Sequence, residues 1–171
     1  MHANNIHLVY GGGSTGLMGE VARTLVQLSG KDAVMGITPE FLLGKERQDK
    51  ASSEQYGHLT IVPDLQARKK MMVELIDNGG PGSGFVGLSG AIGTMDEVME
   101  VVSLVKMDAH NRGTCLLNVE GYYDGILQWI DKVIEEKFAV QKLRDILGSA
   151  TEAAEAVKWL KDVEDRGANA K

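Results

Sequence analysis

The chain has 171 residues, 43% apolar and 25% charged, enough for one sizeable core and too few for two comfortable domains, so a single domain over residues 1–171 is expected. Its 18 Lys and Arg against 24 Asp and Glu leave a net charge of −6, the wrong sign for a chain that must neutralise the phosphates of a nucleic acid. The single cysteine, Cys115, excludes an internal disulfide, and no run approaches the roughly 18 apolar residues of a membrane helix.

In chain order, Met1-His2-Ala3-Asn4-Asn5 has neither the basic start nor the apolar stretch of a leader peptide, so a cytoplasmic protein is expected. Ile6 to Tyr10 is a short apolar run that ends at Gly11-Gly12-Gly13-Ser14-Thr15-Gly16, and a helical pattern through Leu17, Met18, Val21, Leu25 and Leu28 follows. This reads as strand, glycine loop, helix. Ala33 to Thr38 is a second strand closed by Pro39, and the polar stretch from Gly44 to Gly57 reads as a mobile surface loop. Leu59 to Val62 is a third strand. Asp64 is placed to cap a helix running to about Ile76, with Leu65, Met72, Leu75 and Ile76 roughly on one face.

Asn78 to Gly84 holds four glycines and a proline, which excludes regular structure, whereas Phe85 to Leu88 has strand character. The second glycine loop, Ser89-Gly90-Ala91-Ile92-Gly93-Thr94, opens a helix with Val98, Val101, Val102 and Val105 on one face. Thr114 to Val119 is a further strand, followed by a helix from about Tyr122 to Lys137 that turns Ile126, Leu127, Ile130 and Ile134 inward. A last helix from about Thr151 to Asp165 buries Val157 and Leu160, and Ser149 with Glu152 has the spacing of a capping box. Strands alternating with helices imply an α/β fold, a parallel sheet with helices on both faces. Ligands of such sheets bind beyond the carboxyl ends of the strands, where both glycine loops fall.

The types of residue in these loops suggest chemistry and also blander roles. Gly11, Gly13 and Gly16 fit G-x-G-x-x-G between a strand and a helix, so backbone N–H groups at the helix start can approach a phosphate. A dinucleotide site also wants an acidic residue about 20 positions on, and Val34 to Pro39 offers none, which argues against a nicotinamide-dependent oxidoreductase. The same glycines could serve only a tight turn and close packing. In the second loop, Thr94 and Glu97 lie within one helical turn of its N–H groups, a mononucleotide phosphate site with an acid beside it. Thr94-x-x-Glu97 is equally the spacing of a capping box. Arg68, Lys69 and Lys70 could be no more than a solvated helix face.

Taken together, Val9-Tyr10-Gly11-Gly12-Gly13-Ser14-Thr15-Gly16-Leu17-Met18-Gly19, Arg68-Lys69, Gly93-Thr94-x-x-Glu97 and Leu116-Leu117-Asn118-Val119-Glu120-Gly121-Tyr122-Tyr123 resemble the LONELY GUY family of cytokinin riboside 5′-monophosphate phosphoribohydrolases. The family was formerly labelled lysine decarboxylase-like, and the resemblance runs from about Leu8 to the last helix. It implies a Rossmann-like fold, a homodimer, no cofactor or metal, and hydrolysis of the N-glycosidic bond of adenine-type nucleoside 5′-monophosphates to free base and ribose 5-phosphate. Carried over by position, Arg68 and Glu97 are the catalytic pair, and Gly12, Gly13, Lys69, Gly90, Gly93 and Thr94 bind the substrate and its phosphate. The residue types suit the reaction. Cleavage builds positive charge on the ribose ring, which a carboxylate such as Glu97 stabilises while orienting water. Arg68, always charged, can keep Glu97 ionised and grip the phosphate or the departing base.

The sequence departs from the family pattern at several points. Ser89-Gly90-Ala91 stands where Pro-Gly-Gly is usual, which removes a rigid proline and puts Ala91 where glycine is expected. Leu65-Gln66 replaces Met-His, and Ser103-Leu104-Val105-Lys106 replaces Thr-Trp-x-Gln, changes that reshape the base pocket. Asn78 to Gly84 reads as an insertion beside the site. Ile6 to Tyr10 falls on the family's second strand, so the first strand and helix, roughly 30 residues on the scale of a βαβ unit, have no counterpart and a sheet edge is expected to be bare. These departures leave an alternative, a catalytically weakened nucleotide-binding relative of the same fold.

Overall fold

The computed structural model describes residues 1–45, 53–107 and 109–168. It is an α/β structure in which every strand pairing is parallel and helices interleave the strands. The strands form two three-stranded sheets, and the chain divides into two compact units, Met1–Leu75 and Ile76–Lys171.

The first unit holds β1 (Leu8–Tyr10), α1 (Gly16–Ser29), β2 (Val34–Pro39), β3 (His58–Val62) and most of α2 (Leu65–Asp77), with the sheet in the order β1-β2-β3. Leu8 pairs with Val34 and Met35 with His58. Its core is Tyr10, Ala22, Leu25, Ala33 and Val34, with Leu8, Val26 and Tyr56 packed against it. The buried face of α1 is Gly19, Ala22 and Leu25. Leu17, Met18 and Leu28, which belong to the apolar pattern that marks this helix, are exposed, because the helix packs through its small residues, close to the backbone beneath. The expected loop from Gly44 to Gly57 falls largely on residues 46–52, outside the described residues, and Ser53–Tyr56 is a short 3-10 helix.

The second unit holds β4 (Phe85–Gly87), α3 (Ile92–Lys106), β5 (Thr114–Leu117), α4 (Asp124–Glu135), α5 (Leu143–Ile146), β6 (Leu147–Ala150) and α6 (Ala153–Ala168), with the sheet in the order β4-β5-β6. The period-2 alternation of β5 divides the core. Leu116 joins Val98, Val102, Tyr123, Ile130, Ile146 and Leu147 on one side. Cys115 joins Ala150, Ala156 and Leu160 on the other, with Leu117 and Trp159 against them. Helices therefore cover both faces of this sheet. Burial pushes the Cys115 thiol up to about 11.

Further details differ from the sequence reading. β6 was not expected, and Ser149 lies within it rather than at a helix cap. The carboxylate at the start of α6 is Glu155, which accepts from both the N–H and the hydroxyl of Thr151 at 3.2 Å. Asn78 to Gly84 has no regular structure, as expected, and leads into the start of β4, whereas the second glycine loop leaves from the end of that strand. The segment is braced by Arg112, which donates to the carbonyls of Asp77 at 2.8 Å, Gly79 at 2.7 Å and Gly80 at 3.4 Å. No helix among the described residues is long and apolar enough to cross a membrane.

Candidate active site

In the first unit, β1 ends at Gly11, Gly12 and Gly13, all buried. Gly12 has φ 80°, in the left-handed region that favours glycine, and a Cβ there would lie 3.1 Å from both Leu59 and Thr38. Thr15 is the N-cap of α1. At Gly19 a side chain would overlap the Ser14 carbonyl, so the loop lies directly against the helix it opens. Backbone N–H groups at such a helix start form an anion-binding environment.

Arg68 comes to this loop from α2. Asp64 caps that helix as its sequence suggested, accepting from the Ala67 N–H at 2.8 Å, an arrangement that stabilises a helix by about 1 kcal/mol. The cap sets Arg68 one turn in, and a Cβ on Gly11 would sit 3.4 Å from the Arg68 Nη1. Lys69 is 7% exposed. Only Lys70, paired with Glu74 at 3.8 Å, behaves as a solvated face.

In the second unit, β4 runs into Leu88-Ser89-Gly90-Ala91 and α3. Ala91 is the N-cap, Ile92 the first helical residue, and no side chain caps the end. Thr94 is thus the third residue inside the helix, where it cannot form the capping box its spacing with Glu97 allowed. A Cβ on Gly90 would overlap the Thr94 side chain, so the threonine lies directly on the loop, whereas Gly93 has open space around it. Thr94 and Glu97 are both half-buried. Two side chains to which the sequence assigned no role also reach the loop. The Tyr122 hydroxyl donates to the Gly90 carbonyl at 3.0 Å, and that of Tyr123 donates to the Leu88 carbonyl.

The expected site residues therefore form two groups, Gly12, Gly13, Arg68 and Lys69 in the first unit and Gly90, Gly93, Thr94 and Glu97 in the second. Among the described residues, no cluster of three or more His, Cys, Asp or Glu could hold a metal ion.

The chain is similar to known proteins along most of its length. The family model described as possible lysine decarboxylase matches residues 18–160. A bifunctional cytokinin biosynthesis protein of Fusarium pseudograminearum is 46% identical over 166 residues, which cover 93% of this chain and 34% of that protein. The cytokinin riboside 5′-monophosphate phosphoribohydrolases LOG1 and LOG3 of Arabidopsis thaliana are each 38% identical over 160 residues, 94% of this chain and 70% and 69% of theirs. The chain belongs to the LONELY GUY family. It spans about a third of the Fusarium protein and a little over two thirds of the Arabidopsis enzymes.

For a LONELY GUY chain, the altered second loop is less of a departure than its sequence suggests. Ala91 has φ −97°, outside the left-handed region that favours glycine, so the alanine stands there without the strain a left-handed conformation would impose.

Proposed function

We propose that this chain hydrolyses the N-glycosidic bond of cytokinin riboside 5′-monophosphates, releasing the free base and ribose 5-phosphate. Water adds at the anomeric carbon, the bond from that carbon to the base nitrogen breaks, and the base leaves with a proton. Glu97 stabilises the positive charge that develops on the ribose ring and orients the water. Arg68 acts with it, gripping the phosphate or the departing base. Gly90, Gly93 and Thr94 cradle the 5′-phosphate at the start of α3, and Gly12, Gly13 and Lys69 bind the substrate with them. On this reading the two units are parts of one Rossmann-like domain, and the protein is a cytoplasmic homodimer that needs no cofactor.

The observation that carries the reading is likeness over nearly the whole chain to enzymes named for this reaction, 38% identity over 94% of its length. The position of Thr94 inside α3 supports it, since the competing explanation of Thr94 and Glu97 as a cap fails there. The test incubates the purified protein with isopentenyladenosine 5′-monophosphate, and separately with AMP, and follows free base by chromatography. Base release is expected from the monophosphates and not from the unphosphorylated nucleosides. Glu97→Gln removes the charge and little volume, and is expected to abolish release with an unchanged thermal midpoint. Arg68→Ala should act alike. A fully active Glu97→Gln would remove Glu97 from the chemistry, and nucleotide binding without turnover by the unmodified protein would favour the binding relative instead.

A further inference from the structure

The motif from Leu116 to Tyr123 has no part in the chemistry above, yet the structure builds it with care. β4 and β5 are adjacent and parallel, Gly87 opposite Leu116, so the segments leaving their ends emerge side by side. One is the second glycine loop and the other is Asn118 to Tyr123. Glu120 and Gly121 take φ 52° and 74° in succession, and a non-glycine residue in the left-handed region costs on the order of 1 kcal/mol or more unless its surroundings hold it there. Asn118 helps to do so, accepting from the Tyr123 N–H at 2.6 Å and donating to Asp124 Oδ1 at 2.7 Å. The turn delivers two tyrosines, packed edge to face at 5.0 Å. The Tyr123 ring is in the core, whereas Tyr122 is 56% exposed, yet both hydroxyls end on the loop.

We propose that Tyr122 and Tyr123 are positioning residues for the phosphate, holding the Gly90 and Leu88 carbonyls so that the N–H groups that follow them face the ligand. This inference rests on the proposed function. A trans peptide is planar, and its carbonyl and N–H point in opposite directions. Fixing the Leu88 carbonyl on Tyr123 therefore aims the Ser89 N–H away from the tyrosine, and fixing the Gly90 carbonyl on Tyr122 does the same for Ala91. The Ser89 N–H is particular to this chain, because the proline usual in the family at that position has no N–H to give. Tyr123 thus orients a donor that the usual pattern lacks. Burial raises the affinity of the Tyr123 hydroxyl for its proton, Tyr122 adds to this, and the Gly90 backbone opposes it, so the group stays a donor at neutral pH.

Calorimetric titration of the whole chain with ribose 5-phosphate, and separately with adenine, tests the assignment. Tyr122→Phe and Tyr123→Phe keep both rings and remove only the hydroxyls. Each is expected to raise the Kd for ribose 5-phosphate about fivefold to tenfold, the scale of one lost hydrogen bond, and to leave the Kd for adenine and the thermal midpoint nearly unchanged. In a Ser89→Pro background the effect of Tyr123→Phe should shrink below about twofold, because the donor it orients is gone. Unchanged ribose 5-phosphate binding in both variants overturns the positioning role and leaves the proposed function standing. Parallel losses for phosphate and base also overturn it, by showing a purely structural role. If the unmodified protein neither binds ribose 5-phosphate nor releases base, the proposed function falls and this inference falls with it.

Discussion

The two glycine loops share an order of strand, loop and helix but are held by opposite means. The first is fixed by what is missing. Gly11 to Gly13 are buried, and Gly19 lets α1 lie on the Ser14 carbonyl, where any side chain would collide with backbone. The second is fixed by what reaches it, two tyrosine hydroxyls on its carbonyls and the Thr94 side chain against Gly90. Backbone-on-backbone packing cannot relax, whereas side chains can rotate and be replaced. The first loop is therefore set by the fold, and the second is open to adjustment through the residues around it.

Three alanine substitutions probe this contrast. Gly19→Ala forces a methyl into the Ser14 backbone, and the expected loss is about 3 kcal/mol of stability, at the upper end for overpacking. A thermal midpoint within a degree or two of the parent would show that the first loop can yield after all. Gly90→Ala adds a methyl whose nearest atoms belong to the Thr94 side chain. It should cost about 1 kcal/mol of stability while weakening ribose 5-phosphate binding, and a loss as large as that of Gly19→Ala would erase the distinction between the loops. At Gly93 there is open space and a helical backbone, so Gly93→Ala is expected to raise stability by about 0.5 kcal/mol through lower entropy of the unfolded chain. Denaturant midpoints resolve the sign.

Much of this was legible in the sequence because local rules coincided with the fold. The apolar run before each glycine cluster and the periodic residues after it marked two strand-loop-helix units, Asp64 marked its own helix start, and Val98, Val101 and Val102 marked the buried face of α3. Other features depend on contacts between segments distant in sequence. β6 reads Leu147-Gly148-Ser149-Ala150, poor in β-formers, and becomes a strand because it pairs with β5, while the Trp159 ring lies against Gly148, where any side chain would overlap it. The apolar pattern through Leu17 and Leu28 marked α1 as a helix but not its inner face, which is set by the glycine and alanine that bring the helix close. In the site, the glycines, Arg68, Thr94 and Glu97 could be singled out as chemical types. The tyrosines could not, since their role depends on β4 and β5 ending side by side. Ala91 was misjudged because its φ follows from the path of the loop and not from its neighbours in sequence.

The brace at Arg112 bears on how such a chain can change over generations. Its guanidinium donates to three main-chain oxygens, those of Asp77, Gly79 and Gly80, which every amino acid carries, and its Nε lies 3.9 Å from the Asp77 carboxylate. The carbonyls of Gly79 and Gly80 would be there whatever the residue, so the brace itself leaves those two positions free, and it is packing that restricts Gly79, where a Cβ would overlap Ser83. Position 112 has no such freedom, because lysine concentrates its donors on one nitrogen and cannot spread them over three separated carbonyls. The path of this stretch is in this way tied to a residue some 30 positions further along the chain.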